Sequence, residues 1–321
     1  MKGRKLSNSL MDARAFGAQM GASLKVRKLS NALIKMCAFG AQMGANMKRI
    51  KISKVLIYFF LILLLLIYVF PLIWMLFVSF KTNAEIFQNP FGLPASPQWK
   101  NYSVAWTGGK LWLATINSLI VCSVTLAVSM LVGAMAAFAI GRMRWKLANS
   151  TLLYFMIGMM IPVHCVLIPL FVQFSNLRMT NTLFSLIIPY ITFSLPMTIY
   201  ILVNFFRSMP NELFEAACID GCSIYRCFFR IALPLSKSGL FVTGLMTFVN
   251  NWNELLLAMV FISDAAKKTL PVSLTYFVGP YSTNYVQMFA AIIIAIAPSI
   301  VVYCFFSNQI VDGLTAGAVK G

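Results

Sequence analysis

Six long apolar stretches constrain this chain more than any other feature of its sequence. A helix needs about 20 mostly apolar residues to cross the hydrocarbon core of a bilayer. The stretches that meet this length are 55–80, 113–140, 149–174, 183–206, 238–262 and 286–306. Hydrophobic residues make up 60% of the 321 residues and charged residues only 11%, a balance unlike that of a soluble domain. The sequence therefore predicts an all-α polytopic membrane protein with six transmembrane helices.

The basic residues predict the orientation of these spans. Cytoplasmic loops of membrane proteins carry an excess of Lys and Arg. Most of the 26 Lys and Arg residues fall on one side of the membrane if the N-terminus is cytoplasmic. We therefore expect both termini and the loop at about 207–237 to be cytoplasmic. The net charge of +18 is concentrated in residues 1–54, which favours contact with the membrane surface and argues against nucleic acid.

Residues 1–54 are predicted to be a basic cytoplasmic arm, separate from a transmembrane domain at 55–321. The arm is a tandem duplication, in which RKLSNSLMDARAFGAQMGASLKV (4–26) is followed by RKLSNALIKMCAFGAQMGANMKR (27–49). Apolar residues at helical spacing beside basic residues favour an amphipathic helix at the membrane surface. The glycines weaken such a helix, so a disordered tail attracted to the membrane is an equally good interpretation. The sequence assigns no function to the arm.

The loop between the fourth and fifth spans predicts two short helices joined by a turn. SMPNELFEAACIDG (208–221) is expected to be a helix with Pro210 in its first turn and Gly221 as a left-handed C-cap. A second helix is expected at 223–230, because Ser223 can serve as its N-cap. We call residues 208–230 the bracket. Pro234 is expected to break the chain ahead of the fifth span.

The bracket carries more large apolar side chains than a solvated loop should expose. They are Phe214, Ile219, Tyr225, Phe228 and Phe229. Two interpretations are equally consistent with this composition. Either the bracket docks a cytoplasmic partner, or it folds back on its own bundle or on the bilayer interface.

The motif EAACIDG, followed by IALP, resembles the EAA loop of ABC importer permeases, whose pattern is EAA, then Gly, then Ile-x-Leu-Pro. The matching residues, with the aspartate that precedes the glycine, are Glu215, Ala216, Ala217, Asp220, Gly221, Ile231, Leu233 and Pro234. Further segments are similar to the second permease subunit of the maltose-type carbohydrate importers: SLPMTIYILVNFF (194–206), NNWNELLLA (250–258), KKTLPVSL (267–274) and GLTAGAVKG (313–321). The resemblance covers about 55–321. The arm departs from the family, whose members usually begin close to the first span.

This resemblance implies the permease subunit of an ATP-driven importer for a sugar or oligosaccharide in the bacterial cytoplasmic membrane. The implied partners are a second homologous permease, two cytoplasmic ATPase subunits and an extracellular solute-binding protein. The chain itself would be no enzyme and hold no cofactor or metal, since ATP and Mg would bind the ATPase subunits. The sequence agrees, because Gly108-Gly109-Lys110 lacks the rest of a phosphate-binding loop.

Within the family pattern, the bracket is the element that couples ATP hydrolysis to the membrane helices. Glu215 would be its polar anchor and Gly221 its turn. The C-terminal tail would reach toward the ATPase interface through Gly313, Leu314, Thr315, Gly317 and Lys320. A frayed terminus is the simpler interpretation of that tail.

Two other functions remain open from the sequence. A secondary transporter or channel working alone would predict inverted repeats or buried ion-coupling charges, and neither is evident. An ABC importer permease for a solute other than sugar is also possible, because the EAA loop is shared across substrates.

One acidic residue, Glu254, falls inside a predicted span. Its neighbours are Asn250, Asn251, Trp252 and Asn253. A charge in the membrane should face the bundle or a water-filled cavity. We favour a gate or an interhelical hydrogen-bond knot on the translocation path over direct sugar contact, in which Trp252 would cover the ring face. His164, the only histidine, is expected to be a packed residue.

Overall fold

The computed structural model describes residues 52–278 and 284–318, with side chains described at 54–278 and 284–306. Almost all of the predicted basic arm therefore lies outside the described residues. The chain divides into two compact units, Met1–Phe70 and Pro71–Gly321. Within the first unit, the described residues belong to α1 (Ile52–Ser79), which is apolar at 55–78 and contains Pro71, the first residue of the second unit.

The described part of the second unit is built from helices. Their bounds are α2 (Asn83–Gln88), α3 (Lys100–Gly108), α4 (Leu111–Arg142), α5 (Ala148–Met159), α6 (Val163–Asn176), α7 (Phe184–Arg207), α8 (Glu212–Ile219), α9 (Ile224–Cys227), a π-helical turn (Phe228–Ala232), α10 (Leu233–Leu235), α11 (Lys237–Trp252), α12 (Leu256–Phe261), α13 (Leu270–Ser273), a 3₁₀ turn (Leu274–Phe277) and α14 (Tyr285–Ala318).

The prediction of an all-α membrane protein is confirmed. Four described helices are long and apolar enough to cross a bilayer: Lys54–Ser79, Leu111–Arg142, Phe184–Arg207 and Tyr285–Phe306. The number rises to six if each of two bent helix pairs is one span.

The third predicted span, 149–174, is not a straight helix. Its two halves, α5 and α6, meet at an angle of 91°. Pro162 lies at the break and has no N–H to donate, and it also pushes Ile161 away from helical geometry. His164 follows the break at the start of α6 and is exposed, so the expectation of a packed histidine is wrong.

The fifth predicted span, 238–262, is also interrupted. Helix α11 ends at Trp252 and α12 begins at Leu256. At the other end, the helical segment 224–235 meets α11 at 78°. The bend comes after Leu235 and not at Pro234. Pro234 occupies the first turn of α10, where an N–H group would have no acceptor within the helix.

Small residues hold α4 against α7 and place the bracket beneath both. Gly133 of α4 lies so close to α7 that an added Cβ would stand 2.5 Å from the methyl carbon of Thr198. Such close approach is typical of helix pairs in lipid, which associate by van der Waals packing. The same buried cluster continues from Ala137 and Phe206 into the bracket at Ala217 and Phe228. The bracket is thus attached to the membrane helices through a common core.

Candidate functional site

The turn of the bracket has the geometry that its sequence predicts. Gly221 follows the end of α8 with φ of 70°. The N–H of Cys222 donates to the carbonyl of Ala217 (2.9 Å), and the N–H of Gly221 donates to that of Cys218 (3.0 Å). These two bonds form a Schellman motif, which requires a left-handed residue at the position of Gly221. No atom lies within 4 Å of a Cβ built on Gly221, so backbone conformation alone demands the glycine.

The second helix of the bracket begins at the predicted N-cap, whereas the first helix begins later than predicted. Ser223 is the N-cap of α9, and its hydroxyl accepts a hydrogen bond from the N–H of Arg226 (3.4 Å). Helix α8 begins at Glu212, so Pro210 precedes the helix and does not lie in its first turn. Glu212 and Glu215 occupy the first turn of α8, where the helix dipole favours negative charge.

The bracket has an anchored face and an exposed face. Phe228 is 4% exposed, and its ring lies 5.4 Å from that of Phe138 on α4. In contrast, Ile219 is 87% exposed, Tyr225 68% and Phe229 49%. One face of the bracket therefore folds back on its own bundle, while the other face is exposed.

The residues of the EAA pattern are divided between these faces. Ala217 is buried, while Ile231 and Leu233 pack against the same core. The remaining residues of the pattern are exposed: Glu215, Ala216, Asp220, Gly221 and Pro234.

A groove of about 550 Å³ runs beside the exposed face of the bracket. Its wall includes the apolar side chains of Phe214, Ile219 and Ile224, with Glu215 and Arg142 among the charged ones. Among the described residues, the one ion pair joins Lys267 to Asp264, so the charges of the bracket form no ion pair within that part of the chain. The surface combines uncovered apolar area with exposed charge, including that of Glu215.

The carboxylate of Glu254 is held between two helices. Its Oε2 accepts a hydrogen bond from the hydroxyl of Tyr190 on α7 (2.5 Å). Its Oε1 accepts from the N–H of Leu257 (2.7 Å), and Oε2 accepts from that of Ala258 (3.2 Å). Glu254 thus satisfies two N–H groups at the start of α12, which otherwise have no helical partner, and joins α12 to α7.

The polar cluster around Glu254 is split by the structure. A cleft of about 220 Å³ is lined by Asn250, Asn251 and Glu254. Trp252 is buried instead, stacks on Phe248 at 5.5 Å and donates its N–H to the carbonyl of Ala295 (3.1 Å). Its ring is therefore covered by protein and does not line the cleft.

Asn253 is also absent from the cleft wall, because its amide donates to the carbonyl of Val249 on its own helix (2.9 Å). The cleft includes three polar residues that were not among the predicted site residues, namely Tyr190, Ser194 and Thr247. The sequence does offer one signal for Tyr190. It is a polar side chain inside an apolar span, where a polar group needs a partner.

The C-terminal candidates fall on α14, which continues to Ala318. The backbone is helical at Gly313, Leu314, Thr315 and Gly317. Their side chains, and Lys320 entirely, lie outside the described residues, so the contact of this tail stays a prediction. Within the described residues, no group of three or more His, Cys, Asp or Glu side chains is arranged to hold a metal ion.

The sequence matches a family of known proteins. Residues 129–311 match the family described as "Binding-protein-dependent transport system inner membrane component". The diacetylchitobiose uptake system permease protein NgcG of Streptomyces coelicolor is 34% identical over 264 residues, which cover 81% of this chain and 87% of that protein. The sulfoquinovosyl glycerol transport system permease protein SmoH of Agrobacterium fabrum is 36% identical over 253 residues, covering 78% and 89%.

Two further similarities extend this result. The trehalose/maltose transport system permease protein MalG of Thermococcus litoralis is 32% identical over 264 residues, covering 81% of this chain and 94% of that protein. A chain of a bacterial ABC transporter involved in alginate import superposes with a TM-score of 0.71 at 21% identity, covering 81% of this chain and 96% of that one. This structural similarity shows a common fold.

Proposed function

Since this chain belongs to the binding-protein-dependent transport system inner membrane components, the permease subunits of ABC importers, we propose that it imports a sugar or oligosaccharide and that its bracket docks the ATPase. The chain is a multi-pass protein of the inner membrane. It hydrolyses no ATP and holds no cofactor, because the ATPase is a separate subunit. An ATPase and a solute-binding protein are its partners.

The names of the relatives support a carbohydrate as the substrate. They are named for uptake of diacetylchitobiose and for transport of sulfoquinovosyl glycerol and of trehalose or maltose. All of these molecules contain a sugar. A second homologous permease, two ATPase subunits and an extracellular binding protein complete the proposed assembly, with the bracket and both termini on the cytoplasmic side.

One observation carries the coupling role of the bracket: its apolar face is exposed although its other face is fixed in the core. Uncovered apolar area of this kind marks an interaction surface. Closure of the ATPase dimer would displace the bracket as a rigid element, since the Schellman turn and Phe228 fix its shape. The attached helices would then change between two arrangements, which is alternating access driven by differential contacts.

Glu254 is proposed to act as a gate on the translocation path. Its hydrogen bonds to Tyr190 and to α12 support an interhelical knot over a free sugar ligand, because its carboxylate is already engaged. Asn250 and Asn251 line the adjoining cleft and remain candidates for contact with sugar hydroxyls.

The docking proposal is tested by two substitutions at the same position. Gly221→Val should disrupt the left-handed turn, which a β-branched residue tolerates poorly, whereas Gly221→Asn should preserve it. In complexes purified through this permease, we expect Gly221→Val to lower the amount of bound ATPase subunit about tenfold and Gly221→Asn to leave it near the parent value. Equal recovery of ATPase subunit with both variants would rule out the bracket as the docking element.

The substrate proposal is tested by uptake. Cells that lack this permease should lose import of at least one of maltose, trehalose or diacetylchitobiose, and restoring the chain should restore it. Unchanged import of a broad carbohydrate panel would point to another class of solute.

A further inference from the structure

Arg142, the last residue of α4, holds the start of the bracket. Its Nη1 donates to the carbonyl of Met209 and its Nη2 to that of Pro210, both at 3.1 Å. The guanidinium carbon also lies 4.3 Å from the centre of the Phe214 ring. A planar fork that donates twice and covers an aromatic face has a single orientation, which a lysine cannot reproduce. Arg142 therefore fixes the linker ahead of α8 to the end of α4.

The opposite end of α4 is attached to a different segment. The amide of Asn117 donates to the carbonyls of Ala266 (2.9 Å) and Lys268 (3.0 Å). The hydroxyl of Ser118 accepts from the N–H of Leu270 (2.8 Å). These bonds hold the segment 263–270, which leads into α13.

One continuous helix separates the two attachments. At about 1.5 Å per residue, the distance along α4 from Asn117 to Arg142 is roughly 38 Å, which exceeds a hydrocarbon core of about 30 Å. The bracket and the segment 263–270 therefore lie on opposite sides of the membrane. The chain itself joins the bracket to α7 and α11, whereas α4 is joined to it through side chains, chiefly those of Arg142 and Phe138.

We propose that α4 is a connecting rod that carries displacement of the bracket to the segment 263–270 on the far side of the membrane. Arg142 and Asn117 are the positioning residues at its two ends. This inference rests on the proposed function of the bracket as the ATPase contact. It gives the permease a route by which nucleotide bound on the ATPase side of the membrane changes the position of the segment 263–270 on the other side.

The test measures movement of the segment directly and needs no knowledge of the sugar. A cysteine introduced at the exposed Ala265 is labelled with a membrane-impermeant maleimide in nanodiscs that contain the permeases and ATPase subunits. Labelling rates are compared without nucleotide and with ATP and vanadate, after subtraction of labelling in the chain without the added cysteine. The ratio of the two rates reports transmission from the ATPase side.

We expect the parent to show a labelling ratio that depends on nucleotide. Arg142→Gln should reduce this ratio roughly tenfold, as for loss of a charge-assisted hydrogen bond. Where the parent ratio is below about ten, the variant ratio should fall to unity. Lys146→Gln removes a positive charge from an exposed side chain in the loop after α4 and should keep the parent ratio. Arg142→Lys should be intermediate, and it decides the matter if Arg142→Gln does not assemble. Asn117→Ala alone should also lower the ratio, and adding it to Arg142→Gln should cause a smaller further loss than it causes alone, because both contacts lie on one route.

Three results would overturn the inference. The first is a parent ratio of unity, since the segment would then not move. The second is a parent-like ratio in Arg142→Gln, or in Arg142→Lys if only that variant assembles. The third is a loss in the double variant equal to the product of the losses in the two single variants, because the two contacts would then act independently.

If Gly221→Val abolishes the nucleotide dependence of the ratio and Arg142→Gln keeps it, the proposal for α4 is wrong and the proposal for the bracket stands. If both variants keep the parent ratio, the proposal for the bracket fails as well.

Discussion

The hydrogen bond from Tyr190 to Glu254 can be removed by a substitution that deletes a single oxygen atom. Tyr190→Phe removes the hydroxyl that donates to Oε2 at 2.5 Å and leaves the ring in place. Tyr190 is 2% exposed, so the substitution removes a buried hydroxyl. A hydrogen bond to a charged group contributes about 1.5–3 kcal/mol. The carboxylate keeps its bonds from Leu257 and Ala258, and the loss should therefore stay within this range.

Glu254→Gln should cost more, because the amide group of glutamine is a donor. If the glutamine oxygen accepts from the N–H of Leu257, its amide nitrogen faces the N–H of Ala258, and two donors then meet. The N–H of Ala258 would lose its partner, at an additional cost of about 1–3 kcal/mol. The charge that α7 and α12 share would also be gone.

The assay is transport of competing sugars by the reconstituted importer. If Glu254 is a gate, we expect transport to fall about 10- to 100-fold in Tyr190→Phe and further in Glu254→Gln, with the ranking of sugars unchanged. Thr192→Val is a matched control, because its hydroxyl donates to the carbonyl of Ile188 on its own helix. A changed ranking would place Glu254 in the sugar site, and normal transport in both variants would refute a gate at this bond.

Two further predictions concern orientation and packing. Single cysteines at Lys100 and Ser223 should react differently with an impermeant reagent applied outside intact cells, the first being labelled and the second protected; labelling at Ser223 alone would reverse the proposed topology. Gly133→Leu should drive a side chain into Thr198 and destabilise the α4–α7 pair by about 1–3 kcal/mol or more, lowering the midpoint of thermal unfolding in detergent; an unchanged midpoint would show that the helices can separate at no cost.

Local chemistry explains why the turn of the bracket could be predicted. Gly221 and Ser223 act through their own backbone and the next few residues, so a short sequence contains the whole cause of the Schellman turn and of the N-cap. The long apolar helices were likewise predictable, since their length is set by the bilayer and needs no knowledge of neighbours.

The breaks in the third and fifth spans could not be predicted in the same way. An apolar run satisfies the length criterion whether it is straight or bent, and Pro71 is accommodated inside α1 while Pro162 stands at a bend of 91°. Neighbouring helices decide between these outcomes. The same limit applies to Tyr190 and Glu254, which are 64 residues apart and meet only once α7 and α12 are placed.

The separation of Trp252 from the cleft could not be read from the sequence for a related reason. Trp252 and Glu254 are close in sequence, but the end of α11 separates them and turns their side chains toward different neighbours. From the sequence alone, Arg142 is only one of the basic residues that favour a cytoplasmic loop. Its two acceptors are more than 60 residues away, so its structural role depended on the tertiary fold.

The buried face of α4 has a consequence for how this protein can vary in evolution. Small side chains recur along it: Ala114, Ser118, Cys122, Thr125, Ser129, Gly133 and Ala137. The hydroxyls of Thr125 and Ser129 have no hydrogen-bond partner among the described residues, so their size accounts for their place better than their polarity. We expect drift at these positions to be confined to exchanges among small residues. The exposed face, with Ile120, Val124 and Val128, should accept a wider range of apolar residues, so we expect two rates of change side by side along a single helix.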